Sequence, residues 1–187
     1  MKMTRLFAGS LLTVVSLVAA PVAQASAGSD APAPAVAQAG VAPAAITEVG
    51  AAHANTILVK VNQLRAKLGL APVTRYVQLD SVAQDWSEQM AARNVMQHRP
   101  DLGNHVPDGW VRVSENVAWR SGPAGEDVGA LLFEQWLNSP DHYVNMTDPN
   151  VNSIGIGLAY NQSSNSWFGT QNFAGYLNPV QSGLVLS

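Results

Sequence analysis

The apolar positions of this chain change rhythm along its length, and each rhythm predicts a different element. Ile57, Val61, Leu64 and Leu68 recur at three- and four-residue intervals, with Gly69 where a C-terminal cap belongs, and predict a helix. A second helix is expected from Asp80 or Ser81 as cap, with Val82, Trp86 and Met90 as its buried stripe. Glu126 and Asp127 suit the positive end of a third helix. It carries Val128, Leu131, Leu132 and Trp136 to a stop at Ser139, because Pro140 disfavours helix in the residue before it. After that the period falls to two. Ser153 to Tyr160 alternates bulky apolar residues with small ones, the pattern of a strand with one tightly covered face. Asn161 to Asn165 is a polar turn, and Trp167 to Tyr176 returns as the second strand of a hairpin. Gly155 and Gly157 weaken a lone strand, so a neighbouring backbone or helix is expected close over them. Val113 to Val117 reads as a strand edge. The expectation is one α+β domain over residues 51–187, with three helices around a small antiparallel sheet.

Upstream of residue 51 no such rhythm exists. Lys2 and Arg5 precede an apolar run from Leu6 to Ala20, and Ala23-Gln24-Ala25 supplies small residues for cleavage. This is the three-part pattern of a secretory signal peptide over residues 1–25, and it predicts a secreted, extracellular protein. The run is short for a membrane span and is broken by Gly9, Ser10, Thr13 and Ser16. No later segment is long and apolar enough to cross a bilayer. Residues 26–50, with nine alanines, three prolines and two acids, suit a semi-extended linker. Composition then narrows the chemistry. A formal charge of -3 argues against a dedicated nucleic-acid binder. The absence of cysteine excludes a disulfide scaffold, a thiolate zinc site, a cysteine nucleophile and a cysteine-borne lipid anchor.

The usual catalytic templates are missing: no nucleophile elbow, phosphate loop, dinucleotide fingerprint or His-Glu-x-x-His helix. What remains is a spread set of polar residues. His98 follows the second helix, Glu115 lies in the Val113–Val117 stretch, and His142 lies just past the third helix in Ser139-Pro140-Asp141-His142-Tyr143-Val144-Asn145. Imidazole is the commonest protein ligand for zinc, and a nearby carboxylate can orient it or take a proton from bound water. Spacings of 17 and 27 residues carry no metal signature, and each histidine could instead cap a helix end. His105 reads as a solvated loop residue rather than a third ligand, and His53, at the linker boundary, receives no role. Trp136 fits the core at helical spacing. Trp110 and Trp119 are candidates for a lipid groove.

Taken in order, these segments resemble the CAP superfamily, or SCP-like extracellular proteins, which include the cysteine-rich secretory, antigen 5 and plant pathogenesis-related proteins. Val61-Asn62-Gln63-Leu64-Arg65 with Leu70-Ala71-Pro72-Val73 resembles the family's opening, and the likeness continues through Ala83 to Met90 and His98. Ser114-Glu115-Asn116-Val117 resembles its Gly-Glu-Asn-Ile/Val motif, and Trp136 to Asn145 its Trp-x-x-Ser-Pro-Gly-His-x-x-Asn form. Ile154-Gly155-Ile156-Gly157 and the aromatic strand after it match the closing hairpin, so the resemblance covers about residues 55 to 177. It implies an α-β-α sandwich with a cleft in which His98 and His142 bind a divalent metal, often zinc, and Glu115 is the first acid. The family's second acid falls on Ser139, so the cleft-lining set here is Ser139 and Asn145 beside an incomplete tetrad. Asn62 and Arg65 are expected to fix the first helix through hydrogen bonds. A two-histidine site should be weak, micromolar or poorer, roughly 8 kcal/mol or less. The implied role is extracellular binding of an envelope component, protein or lipid. The alternatives are a metal-assisted hydrolase with Glu115 as base, and a sterol or lipid carrier.

Overall fold

The computed structural model describes residues 48–123 and 126–187. The leader at 1–25 and the linker as far as residue 47 lie outside the described residues. Helix α1 spans Glu48–Lys67, so it begins three residues ahead of the expected boundary at 51. It stops where Gly69 takes a φ of 71°, a left-handed conformation that costs glycine nothing. Ile57 and Val61 are fully buried and Leu64 partly, whereas Leu68 lies beyond the last turn and stays half exposed.

Helix α2 covers Val77–Arg93, starting three residues before Asp80. Neither Asp80 nor Ser81 caps it; Tyr76 is the N-cap, without a side-chain bond. Asp80 has other work. Its Oδ1 accepts from Arg75 Nε at 2.8 Å and from the Ile156 amide at 2.9 Å. One helical turn on, Gln84 donates to the Leu158 carbonyl at 3.0 Å and accepts from the Leu158 amide at 2.9 Å.

Those bonds matter because of where Ile156 and Leu158 lie. Strands β1 (Thr74–Arg75), β2 (Trp110–Ser121), β3 (Ser153–Asn161) and β4 (Ser166–Tyr176) form one sheet in the order β1-β3-β4-β2. β1 pairs with only the first two residues of β3, in parallel, so the sheet is mixed and not wholly antiparallel as expected. Beyond Arg75 the open edge of β3 meets side chains of α2, which satisfy its backbone groups in place of a neighbouring strand. The expected close approach over the glycines is present. A Cβ on Gly155 would strike the Leu79 carbonyl, and one on Gly157 the backbone of Ala83 and Gln84.

The opposite face is covered by α1, α3 (Val128–Leu137) and α4 (Pro140–Met146), giving the α-β-α sandwich. α3 starts and stops as predicted, with the Asp127 carboxylate accepting from the Ala130 amide at 3.1 Å. Its Leu132 and Trp136 close a core with Ile57, Val61, Ile156 and Phe173. α4 adds a fourth helix to the three expected. Its seven residues are too few to show a period, although Pro140 at the first helical position marks its start.

His53 is not the idle boundary residue that the sequence suggested. It is buried in α1 with its ring edge-on to Trp167, centroids 5.3 Å apart, and Nδ1 is 3.8 Å from Asp127. Burial pushes its pKa below the usual value, more than Asp127 pulls it up. The folded protein therefore holds His53 neutral, while the unfolded chain protonates it near pH 6.5. Its contribution is complete above that pH and is lost as the pH falls. Thermal unfolding scanned from pH 7.5 to 5.0 should show a falling midpoint, and His53→Phe, which keeps a ring against Trp167, should flatten that slope.

Candidate functional site

His98 reaches the sheet because the chain after α2 is strapped back onto that helix. Asn94 ends α2 in the left-handed region at φ 52°, and the Val95 amide donates to the Met90 carbonyl at 3.1 Å. Trp86 Nε1 then donates to the Gln97 carbonyl at 2.9 Å. Arg99 secures the far side. Its guanidinium donates to the Val82 carbonyl at 3.1 Å, pairs with Asp85 at 2.7 Å and lies 5.4 Å from the Trp86 ring. His98 is held between these two anchors.

It faces Glu115 on β2, the edge strand of the sheet. His98 Nδ1 donates to Glu115 Oε1 at 2.8 Å, and the Arg99 amide donates to the same oxygen at 2.9 Å. The two partners differ in exposure, with 64% of the His98 side chain accessible and only 4% of that of Glu115. A carboxylate only accepts, so Nδ1 carries the proton and the lone pair of neutral His98 sits on Nε2. Glu115 Oε2 is buried and has no hydrogen-bond partner among the described residues.

α4 delivers the other histidine. The Ser139 carbonyl accepts from the amides of His142 at 3.2 Å and Tyr143 at 2.8 Å, while the Ser139 side chain makes no cap bond. Asn145 Nδ2 donates to the Glu115 carbonyl at 3.3 Å and to Asn116 Oδ1 at 2.8 Å. Asn116 Nδ2 in turn donates to the His142 carbonyl at 3.0 Å and to Gln171 Oε1 at 2.9 Å. These amides bolt α4 to the segment of β2 that carries Glu115. Burial holds the His142 imidazole below its ordinary pKa, the nearby His98 pushes it the same way, and Asp141 opposes both. His142 is therefore neutral near pH 7, and its Nδ1 is buried without a partner among the described residues.

The structure thus brings His98, Glu115, His142 and Asn145 together beside the middle of edge strand β2. His105 stands apart. Arg99 Nη2 donates to its Nδ1 at 3.1 Å, which uses the one lone pair a neutral imidazole has. Trp110 and Trp119 are 37% and 45% exposed but sit nine residues apart on β2, about 30 Å along an extended strand. They do not line one groove. Asn62 and Arg65 do fix α1 as expected. Asn62 exchanges bonds with the Val73 amide and carbonyl at 2.9 and 3.0 Å. Sequence reasoning missed Asn116, Gln171 and Asn172, fully buried polar residues in the middle of strands where such side chains are costly.

For a metal, the available donor set is two imidazoles, one of them oriented by a carboxylate behind it. Among the described residues no group of three or more His, Asp or Glu side chains is arranged to hold an ion. Such a set fits a weakly held divalent cation with open coordination positions, not a closed structural site.

Comparison with known proteins agrees with this architecture. The model of the cysteine-rich secretory protein family (CAP) matches residues 58–173. The uncharacterized protein YkwD of Bacillus subtilis is 27% identical over 131 residues, covering 66% of this chain and 48% of that protein. A solved extracellular protein of Bacillus anthracis containing an SCP domain is 25% identical at a TM-score of 0.57, over 70% of this chain and 42% of its own. The chain therefore spans about half the length of these relatives or less. NaASP2, solved with Zn2+, shares the fold at 12% identity and a TM-score of 0.55, over 68% of this chain and 82% of its own.

Proposed function

This chain belongs to the cysteine-rich secretory protein (CAP) family, and on that premise we propose an exported domain that binds an extracellular ligand at a weak divalent metal site. Residues 1–25 would direct export and 26–50 would tether the domain of residues 51–187. His98 and His142 would hold the ion, zinc being the first candidate, with Ser139 and Asn145 lining the cleft beside them. When bound, the ion supplies Lewis acidity and open positions for oxygen donors of an envelope component, protein or lipid. No helix among the described residues is long and apolar enough to cross a membrane. The extracellular description of the Bacillus anthracis relative supports the same compartment.

The observation that carries this reading is the buried Glu115 carboxylate behind His98. A carboxylate bonded to Nδ1 fixes the ring and its tautomer, raises its basicity and leaves Nε2 for a metal, as outer-shell carboxylates do in metalloproteins. The same burial separates the binding reading from the hydrolase. Glu115 Oε1 already accepts two hydrogen bonds and the side chain is almost inaccessible, so Glu115 suits positioning better than proton abstraction from a water. The separation of Trp110 and Trp119 weighs against a lipid groove lined by both, the residues that would have supported the lipid-carrier alternative.

Zinc titration of the full chain by calorimetry tests the reading. Binding in the micromolar range or weaker is expected, falling about tenfold in Glu115→Gln, which keeps the shape and loses the charge. Undiminished affinity in that variant would remove Glu115 from the site. Turnover of a substrate that vanishes in Glu115→Gln while zinc stays bound would favour the hydrolase instead.

A further inference from the structure

The free oxygen of Glu115 has a neighbour that the proposed site does not yet use. In the β2–β4 ladder Glu115 stands directly opposite Asn172. The Glu115 carbonyl accepts from Asn145 of α4, so it points away from β4. Glu115 and Asn172 are thus a non-hydrogen-bonded pair, the type in which side chains come closest, with Cβ atoms about 4.5–5.5 Å apart on one face. Asn172 is fully buried, and neither its Nδ2 nor its Oδ1 has a partner among the described residues. Three orphaned polar atoms, a carboxylate oxygen and both ends of an amide, therefore meet on one face of the sheet.

A buried amide with nothing bound is costly, and buried polar groups in folded proteins are almost always satisfied. Donor and acceptor are complementary here: Nδ2 can donate toward Oε2, and a water has the two to four polar partners it needs to be held. We propose that Asn172 is a positioning residue that fixes Glu115 Oε2 through one buried water, so that Oε1 stays aligned on His98. The polar chain then runs Asn172, water, Glu115, His98. Asn172 touches no ligand; it sets the direction of the carboxylate that sets the direction of the imidazole. The inference rests on the proposed metal site for its consequence but not for its geometry.

The test is a cycle of four full-length proteins: wild type, Asn172→Leu, Glu115→Gln and the double variant, each measured for thermal midpoint and zinc affinity. Leucine matches asparagine in size and removes both amide atoms. If the amide is coupled to Glu115, Asn172→Leu lowers the midpoint and weakens zinc about tenfold, and both effects shrink in the Glu115→Gln background. If the amide is merely an unsatisfied group in a dry core, Asn172→Leu leaves zinc affinity unchanged and keeps or raises the midpoint. That result overturns the proposal. Should Asn172→Leu fail to fold, Asn172→Ser keeps a donor and is expected to show the same coupling at smaller size. A wild type that binds no zinc would defeat the metal reading, while the midpoints would still decide whether Asn172 and Glu115 are coupled. A crystal structure should show a water bonded to Asn172 and Glu115 Oε2; a dry gap there would contradict the proposed link.

Discussion

Arg65→Ala is expected to destabilise the protein by about 4 kcal/mol, a loss read directly from urea or thermal unfolding. The guanidinium is 1% exposed and donates to four backbone carbonyls: Ala71 at 2.7 Å, Met146 at 2.9 Å, Asp148 at 3.0 Å and Val151 at 3.1 Å. Among the described residues no carboxylate pairs with it directly, and burial lowers its pKa more than the Asp148 charge restores. It stands where a bound cation could stand, gathering the turn after α1 and the loop between α4 and β3. Removing it leaves the buried Met146 and Val151 carbonyls without that donor, each costing about 1–3 kcal/mol before the loop relaxes. Lysine would keep the charge but not the planar fork, so Arg65→Lys should recover only part of the loss. The same loop follows the helix that presents His142 and Asn145, so zinc affinity should fall with stability.

Gly157→Ala should cost about 3 kcal/mol, at the upper end for overpacking in a core. A methyl there would overlap the backbone of Ala83 and Gln84 in α2, and a helix backbone cannot swing aside as a side chain can. The helix must rise from the sheet. Rising breaks the bonds of Gln84 to Leu158 and of Ser87 to the Gly157 carbonyl. It also carries away Trp86 and Arg99, the anchors that set His98 against Glu115. The variant should therefore melt earlier and bind zinc less well, even though Gly157 belongs to β3 and makes no contact with the site residues. Denaturant unfolding combined with zinc calorimetry would separate the two effects.

How much of this was legible before the structure depended on length and on which force decided each element. The β3–β4 hairpin and α3 were readable because long periodic runs, a polar turn and a proline stop all agreed. β1 was unreadable, having two residues held by pairing alone. The start of α2 misled because Asp80 has the chemistry of a cap, yet its carboxylate is spent on Arg75 and the edge of β3. In α4 the only signal was Ser139-Pro140, read as the end of one helix when it is also the beginning of the next. The site divides in the same way. His98, Glu115 and His142 were candidates by residue type, but their assignment to one site came from the family resemblance, because no local rule links residues so far apart in sequence. In the amide network, Asn116 and Gln171 had a weak local sign, polar side chains within strands that propensity disfavours, whereas Asn145 came with the family motif.

The central claim is that His98 and His142, carried on opposite layers of the sandwich, form one metal site at the sheet edge. Zinc calorimetry on wild type, His98→Ala and His142→Ala, with unfolding curves to confirm that each variant is folded, tests it most directly. The account predicts one weak site in wild type that disappears in each single variant. Wild-type binding that survives either substitution in a folded protein, or no binding at near-millimolar zinc, would contradict it.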